Sequence, residues 1–167
     1  CGGCDLQHVS ISAQREAKRN MLETMLRRHG GMSTDVAVVD ASEGLPSYGI
    51  RSRAILHAES DAIGFYRQSS HEPVALEECP ILEPALWEAF ASVKPSILDV
   101  GAGVRRIALE RLGGEVIVRV EAESPASAAV RRIPAPAGVR LEVLDHRPGA
   151  REQVVSRFSQ INVAANQ

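Results

Sequence analysis

The residues best suited to chemistry stand at the front of the chain. Cys1-Gly2-Gly3-Cys4 is a C-x2-C pair, followed by Asp5-Leu6-Gln7-His8 and, far downstream, by Cys79-Pro80-Ile81. Thiols at this spacing suit three chemistries: a redox dithiol, half of a zinc site, or part of an iron–sulfur cluster. Redox dithiols usually cap a helix in a thioredoxin-like βαβ setting, which does not follow here. Tetrahedral zinc needs four ligands, and His8 and His29 are the nearby candidates for the fourth. An iron–sulfur cluster needs four thiolates, and the chain has three cysteines. Three unrelated buried thiols are the plainer alternative.

A second string points toward nucleotide chemistry. Leu98-Asp99-Val100-Gly101-Ala102-Gly103 resembles the glycine loop after the first strand of a Rossmann domain, where glycines let the backbone approach a cofactor. The match is incomplete, because Val104-Arg105 stand where a third glycine belongs. Beyond it, Ile107 and Leu109, then Val116, Val118 and Val120, alternate with period two around Gly113-Gly114. That pattern predicts a β-hairpin over 104–121 rather than a loop opening a helix. A small S-adenosylmethionine enzyme built on the Asp99–Gly103 loop is therefore the last-ranked reading.

The elements that must position these residues follow from hydrophobic periodicity. Ile11, Ala17, Met21, Leu22, Met25 and Leu26 recur at threes and fours, so 11–28 is predicted helical. Ser10 or Ser12 would cap it, Arg27, Arg28 and His29 suit its negative end, and Gly30-Gly31 stops it. A short strand is expected at Val36–Val39, and a turn at Gly44-Leu45-Pro46. Ile50–Ala58 and Ile63–Gln68 read as a strand pair joined across Glu59-Ser60-Asp61, with Val74–Glu77 as a third strand. Pro84 to Val93 reads as a short helix packing Leu86, Phe90 and Val93 on the sheet. Residues 125–138 read as a loop around one short helix, followed by strands at Val139–Leu144 and Val154–Asn162. The expected class is α+β: an N-terminal helix, then a mostly antiparallel β-sheet segment with short helices.

Composition bounds the function more loosely. The 167 residues carry a net charge of −2, so gross electrostatics does not announce a nucleic-acid binder. Charge is uneven, however, with three basic against ten acidic residues in 31–90 and eleven against eight in 91–167. Seventeen of the nineteen basic residues are Arg, which suits phosphate, although an Arg-rich genome gives the same count. An odd cysteine count without a secretory signal argues against a disulfide scaffold and for the reducing cytoplasm. No apolar run approaches the length of a membrane span. A chain that opens on a motif at Cys1 reads as a piece of a longer protein.

The motifs taken in order resemble the RNA (uracil-5-)-methyltransferase family, in its iron–sulfur-containing branch. The resemblance begins at Cys-Gly-Gly-Cys-Asp-Leu-Gln-His with Gln14 and Lys18, and continues through Tyr48-Gly-Ile-Arg51-Ser-Arg53, Gly64-Phe65-Tyr66 and Ser70-His71. It runs on to Cys79-Pro80-Ile81 and closes on Phe158-Ser159-Gln160-Ile161-Asn162, while 95–150 matches only as a strand pattern. The resemblance implies an S-adenosyl-L-methionine-dependent enzyme that methylates C5 of a uridine in transfer RNA or 23S ribosomal RNA. It implies that Cys1, Cys4 and Cys79 are three ligands of a [4Fe-4S] cluster, the fourth cysteine lying upstream. It implies that Phe158 packs near the extruded base, that Gln160 touches S-adenosylmethionine, and that Arg51 and Arg53 belong to a strand facing RNA.

Three segments follow from this resemblance: 1–31 with the cluster motif and long helix, 32–157 as a central sheet domain, and 158–167 as the start of a catalytic domain. The family's attacking cysteine belongs to that later domain, and no cysteine follows position 79, so the chain alone is expected to be inactive. RNA is the expected partner, with no membrane, and a monomer is the expected state. The rival from another class is a stand-alone zinc-stabilised module that binds RNA or protein.

Overall fold

The computed structural model describes residues 2–31, 44–59 and 61–146. Two compact units divide the chain: Cys4–Ser47, and Tyr48–Gln167 together with Cys1–Gly3. The expected strand at Val36–Val39 and the expected final strand at Val154–Asn162 lie outside the described residues.

In the first unit, helix α1 spans Ile11–His29. Ser10 is its N-cap, its side chain accepting from the amide of Ala13 at 3.4 Å. Arg27, Arg28 and His29 occupy the last turn, where cations complement the helix dipole. Gln14 donates its side-chain amide to the carbonyl of Val9 at 2.9 Å, tying the segment before the helix to its first turn. Met21, Leu22 and Met25, the apolar positions read from the sequence, are exposed.

The second unit is a five-stranded sheet packed against helices. Strands β1 (Arg53–Glu59) and β2 (Ala62–Gly64) form an antiparallel pair; helix α2 (Pro84–Val100), strands β3 (Val104–Leu112) and β4 (Glu115–Ala122), helix α3 (Ala126–Val130) and β5 (Val139–Asp145) follow. The strand order is β2-β1-β3-β4-β5. All neighbours are antiparallel except β4 and β5, which run parallel across α3. Parallel neighbours need a crossover rather than a tight turn, and residues 123–138 supply it.

Alternation sorts the sheet into two faces. Leu56, Ile107 and Val120 stand in one cross-strand row and are all fully buried, as are Leu109 and Val118 in the next. Against these pack Leu86, Ala89, Phe90, Val93 and Ile97 of α2, with Ala126 and Val130 of α3. This buried cluster is the core of the unit, and it is the expected α+β arrangement.

Three boundaries differ from the sequence reading. Helix α2 continues past Val93 to Val100 with Pro95 inside it, because Ile97 extends the apolar stripe onto the sheet and is 1% exposed. That burial offsets the hydrogen bond a proline removes. Val74–Glu77 forms no strand; Val74 and Leu76 donate to the carbonyls of Phe65 and Ile63, while the carbonyl of Leu76 is taken by Lys94 Nζ at 2.8 Å. Strands β1 and β2 are shorter than expected, and the chain beyond Gly64 keeps only an isolated bridge between Tyr66 and Pro73.

The hairpin reading of 104–121 is the observed one. Leu112 pairs with Glu115, leaving Gly113-Gly114 as the two-residue turn, both at positive φ as such a turn requires. The Asp99-Val100-Gly101-Ala102-Gly103 string ends a helix and enters a strand, which is the reverse order from a Rossmann glycine loop.

Candidate functional site

The motifs separated in sequence converge around Phe65. The amide of Gly2 donates to the carbonyl of Tyr66 at 3.0 Å, and Gly3 lies against the Phe65 ring. A Cβ on Gly2 would stand 2.4 Å from that carbonyl oxygen, so only glycine permits this approach. The guanidinium of Arg51 lies 5.8 Å from the centre of the Phe65 ring, within cation–π range. Residues 49–51 in turn run beside 80–83. Gly49 donates to the carbonyl of Pro80, Ile50 and Arg51 to that of Ile81, and Glu83 back to Arg51.

Of the expected thiol ligands, Cys4 and Cys79 are free and half-buried, and Cys1 lies outside the described residues. Cys79 opens a turn in which its carbonyl accepts from Leu82 at 3.2 Å. His8 and His29, the candidates for a zinc ligand, are both exposed. Among the described residues, no three His, Cys, Asp or Glu side chains form a group that would hold a metal ion.

Arg51 and Arg53 have different settings. Arg51 precedes the strand, bridges to Leu82 and buries an Nε with no hydrogen-bond partner. Arg53 opens β1, is half-buried and stands opposite Glu110 of β3. Phe158 and Gln160 lie outside the described residues.

The sheet face opposite the helices is built from charged rows. Glu110, 4% exposed, accepts from Arg119, which also pairs with Glu142 on β5. Burial works against the charge on Arg119, but the hydrogen bonds and charges of Glu142 and Glu110 outweigh it and raise the pKa. Arg111 is likewise raised, first by its hydrogen bond to Glu83 and then by that carboxylate's charge. Glu83 also precedes α2 as its N-cap residue, where Pro84 begins the helix.

One open pocket of about 300 Å³ lies at the end of the second unit's sheet where β1 and β4 finish and β3 begins. His57, Arg106 and Glu121 form a cross-strand row along its floor. The His57 and Tyr66 rings stack with centroids 3.7 Å apart and planes 18° apart, and His71 meets Tyr66 edge-on at 5.4 Å. His146, just past β5, sets its Nδ1 2.7 Å from Glu121 Oε1. Sequence reading selected Tyr66 and His71 only as parts of motifs and passed over His57, Arg105, Arg106, Glu121 and His146. Their convergence depends on strand register, which no local pattern carries.

No protein-family model matches the chain. Among curated proteins, it is 44% identical over 109 residues to the 23S rRNA (uracil(1939)-C(5))-methyltransferase RlmD of Halomonas elongata, covering 61% of this chain and 22% of that protein. The Chromohalobacter salexigens protein of the same name is 34% identical over 138 residues, covering 77% of this chain and 28% of the relative. That of Photorhabdus laumondii is 40% identical over 113 residues, covering 64% and 25%. The chain thus spans less than a third of the length of these relatives. Among solved structures, the Pyrococcus abyssi tRNA (uracil-54, C5)-methyltransferase in complex with S-adenosyl-L-homocysteine matches with a TM-score of 0.61. That match has 24% identity and covers 90% of this chain and 38% of that one, so it speaks for the fold.

Proposed function

Because the chain belongs to the RNA (uracil-C5)-methyltransferase family, we propose that it works within an enzyme that methylates C5 of a uridine in RNA. The observation that carries this reading is the 44% identity to a 23S ribosomal RNA enzyme over 109 residues. Large-subunit ribosomal RNA is the substrate proposed first, because the relatives at 34–44% identity act on it by name. Transfer RNA, the substrate named for the structural neighbour, is the other candidate.

S-adenosyl-L-methionine would supply the methyl group. The described residues do not fit that cofactor: the one glycine string that suggested a loop for it lies between a helix and a strand. No transfer step is therefore assigned to them. Gln160 as a contact to the cofactor, and Phe158 as a contact to the extruded base, are proposals carried by the resemblance alone.

Cys1, Cys4 and Cys79 are proposed as three thiolate ligands of a [4Fe-4S] cluster, with a fourth thiolate from outside this sequence. The donor set fits in kind, since Cys4 and Cys79 are free thiols. When bound, such a cluster would act as a cross-link in the manner of a structural metal. Arg51 and Arg53 are proposed as contacts to the RNA backbone, by the charge and fork geometry that suit phosphate. The division into 1–31, 32–157 and 158–167 is retained as a proposal, as are a monomeric state and a cytoplasmic location. Among the described residues, no helix is long and apolar enough to cross a membrane. Nothing specific favours the zinc-stabilised module.

The test is methyl transfer by the enzyme that carries this chain, incubated with S-adenosylmethionine and either unmodified 23S ribosomal RNA or transfer RNA. 5-Methyluridine measured by mass spectrometry in the ribosomal RNA is the expected result. Product only in transfer RNA reassigns the substrate, and product in neither sinks the reading.

A further inference from the structure

We propose that the pocket at the end of the sheet receives one unpaired nucleobase of the RNA substrate, stacked on the Tyr66–His71 side and met at its edge by Arg106 and Glu121. This inference rests on the methyltransferase reading and adds a binding site distinct from the cysteine motif and from Arg51 and Arg53.

The sheet register builds the pocket. Val104 pairs with Ala122 and Arg106 with Glu121, so the ladder skips a residue at Arg105. Without that bulge, Val104 and Arg106 would share a face. With it, Val104 is buried in the core while Arg106 joins His57 and Glu121 on the other side. The bulge thus brings two consecutive arginines to one pocket, with Arg105 at its edge paired to Glu123 at 2.7 Å.

The chemistry of the lining selects among ligands. A bare anion would meet the carboxylates of Glu59 and Glu121, and a bare cation would meet Arg105 and Arg106. A flat, uncharged ring with donors and acceptors on its edge suits both signs at once. Stacking surface in the same place is offered by the exposed ring of His71, which meets Tyr66 edge-on while Tyr66 itself stacks on His57. Aromatic platforms beside Arg are how unpaired RNA bases are held. A volume of about 300 Å³ accommodates a small ligand of this kind.

The experiment measures binding of the chain to a short fluorescein-labelled single-stranded RNA of mixed sequence by anisotropy. The same RNA annealed to its complement forms a second arm, and unlabelled nucleoside monophosphates form a third as competitors. Tighter binding of the single strand is expected, with His71→Ala weakening it about tenfold at an unchanged salt slope. Tyr66→Leu, which keeps apolar bulk but removes the ring, is expected to act in the same direction. Unchanged affinity in both variants, equal binding of the duplex, or no RNA binding at all overturns the pocket. Monophosphates binding as tightly as the RNA also overturn it, by making a free nucleotide the ligand. Formation of 5-methyluridine by the unaltered enzyme is read separately, so loss of the pocket and loss of the methyltransferase reading are distinguishable.

Discussion

Gly2 and Tyr66 are joined by a 3.0 Å backbone hydrogen bond that leaves no room for a side chain on the glycine. The two glycines of the Cys-Gly-Gly-Cys motif therefore serve different degrees of closeness. A Cβ at Gly2 meets a carbonyl oxygen at 2.4 Å, whereas one at Gly3 meets the edge of the Phe65 ring at 3.2 Å. The first requires backbone to move, and the second asks a ring to give by a few tenths of an ångström.

Gly2→Ala is accordingly expected to release the loop from Tyr66, and Gly3→Ala to leave it in place. Hydrogen exchange of the residue-2 amide, the donor to Tyr66, reads this directly: several-fold faster exchange in Gly2→Ala, with Gly3→Ala close to the unaltered chain. Equal rates in all three proteins would mean that the Gly2 contact does not hold the motif.

Glu83 and Arg111 form a two-pronged ion pair between the start of α2 and the end of β3, with Arg111 Nη2 donating to Glu83 Oε1 at 3.0 Å. Glu83 is largely buried while the Arg111 side chain is 39% exposed, so solvent discounts the pair without cancelling it. Glu83→Gln is expected to lower unfolding stability by about 1–2 kcal/mol, as for a charge-assisted hydrogen bond that is partly screened. Arg111→Lys should not preserve the full stability, because an ammonium cannot reproduce the fork. A double-mutant cycle in urea checks the coupling, and a coupling near zero would show the pair to be incidental.

Phe90 of α2 is fully buried and packs in the cluster that joins the helix to the sheet. Phe90→Ala is expected to cost about 3–5 kcal/mol, through lost burial and the cavity left behind. Denaturant unfolding measures it, and a loss below about 1 kcal/mol would mean that the helix does not pack as described.

Much of this fold was legible where one stretch of chain decides its own structure. The Ser10 cap and the Arg27-Arg28-His29 end marked α1, and alternation about Gly113-Gly114 marked the β3–β4 hairpin. What escaped depends on contacts between distant residues. The helix passes Pro95 because Ile97 finds the sheet, and Val74–Glu77 fails as a strand because its polar groups are divided between the carbonyls of Ile63 and Phe65 and the ammonium of Lys94. The parallel seat of β5 and the bulge at Arg105 are properties of register. The cysteines and Arg51 could be selected from motifs, but the row of His57, Arg106 and Glu121 appears only once three strands are aligned.

Cys79 provides a test of the cluster that does not depend on methyl transfer. In the enzyme proposed to carry this chain, purified anaerobically, iron and visible charge-transfer absorbance are expected. Cys79→Ser should lower both, since an alcohol is a poor substitute for a thiolate. Full iron content in the variant would remove Cys79 from the ligand set, and no iron in the unaltered enzyme would remove the cluster.

Arg51 and Arg53 separate a packing role from an RNA role. Arg51 sits over Phe65 with a buried, unpartnered Nε, so its aliphatic stem and cation–π contact contribute to stability whatever it binds. Arg51→Met keeps apolar contact with Phe65 while removing both the orphaned donor and the charge, and its stability is expected to stay within about 1 kcal/mol of the parent. Combined with Arg53→Gln, it is expected to weaken RNA binding by the enzyme. If each guanidinium neutralises one phosphate, the log–log salt slope should flatten by about 0.7 for each charge removed from a single-stranded site. Equal slopes in the double variant and the parent, at equal affinity, would confine both arginines to the fold.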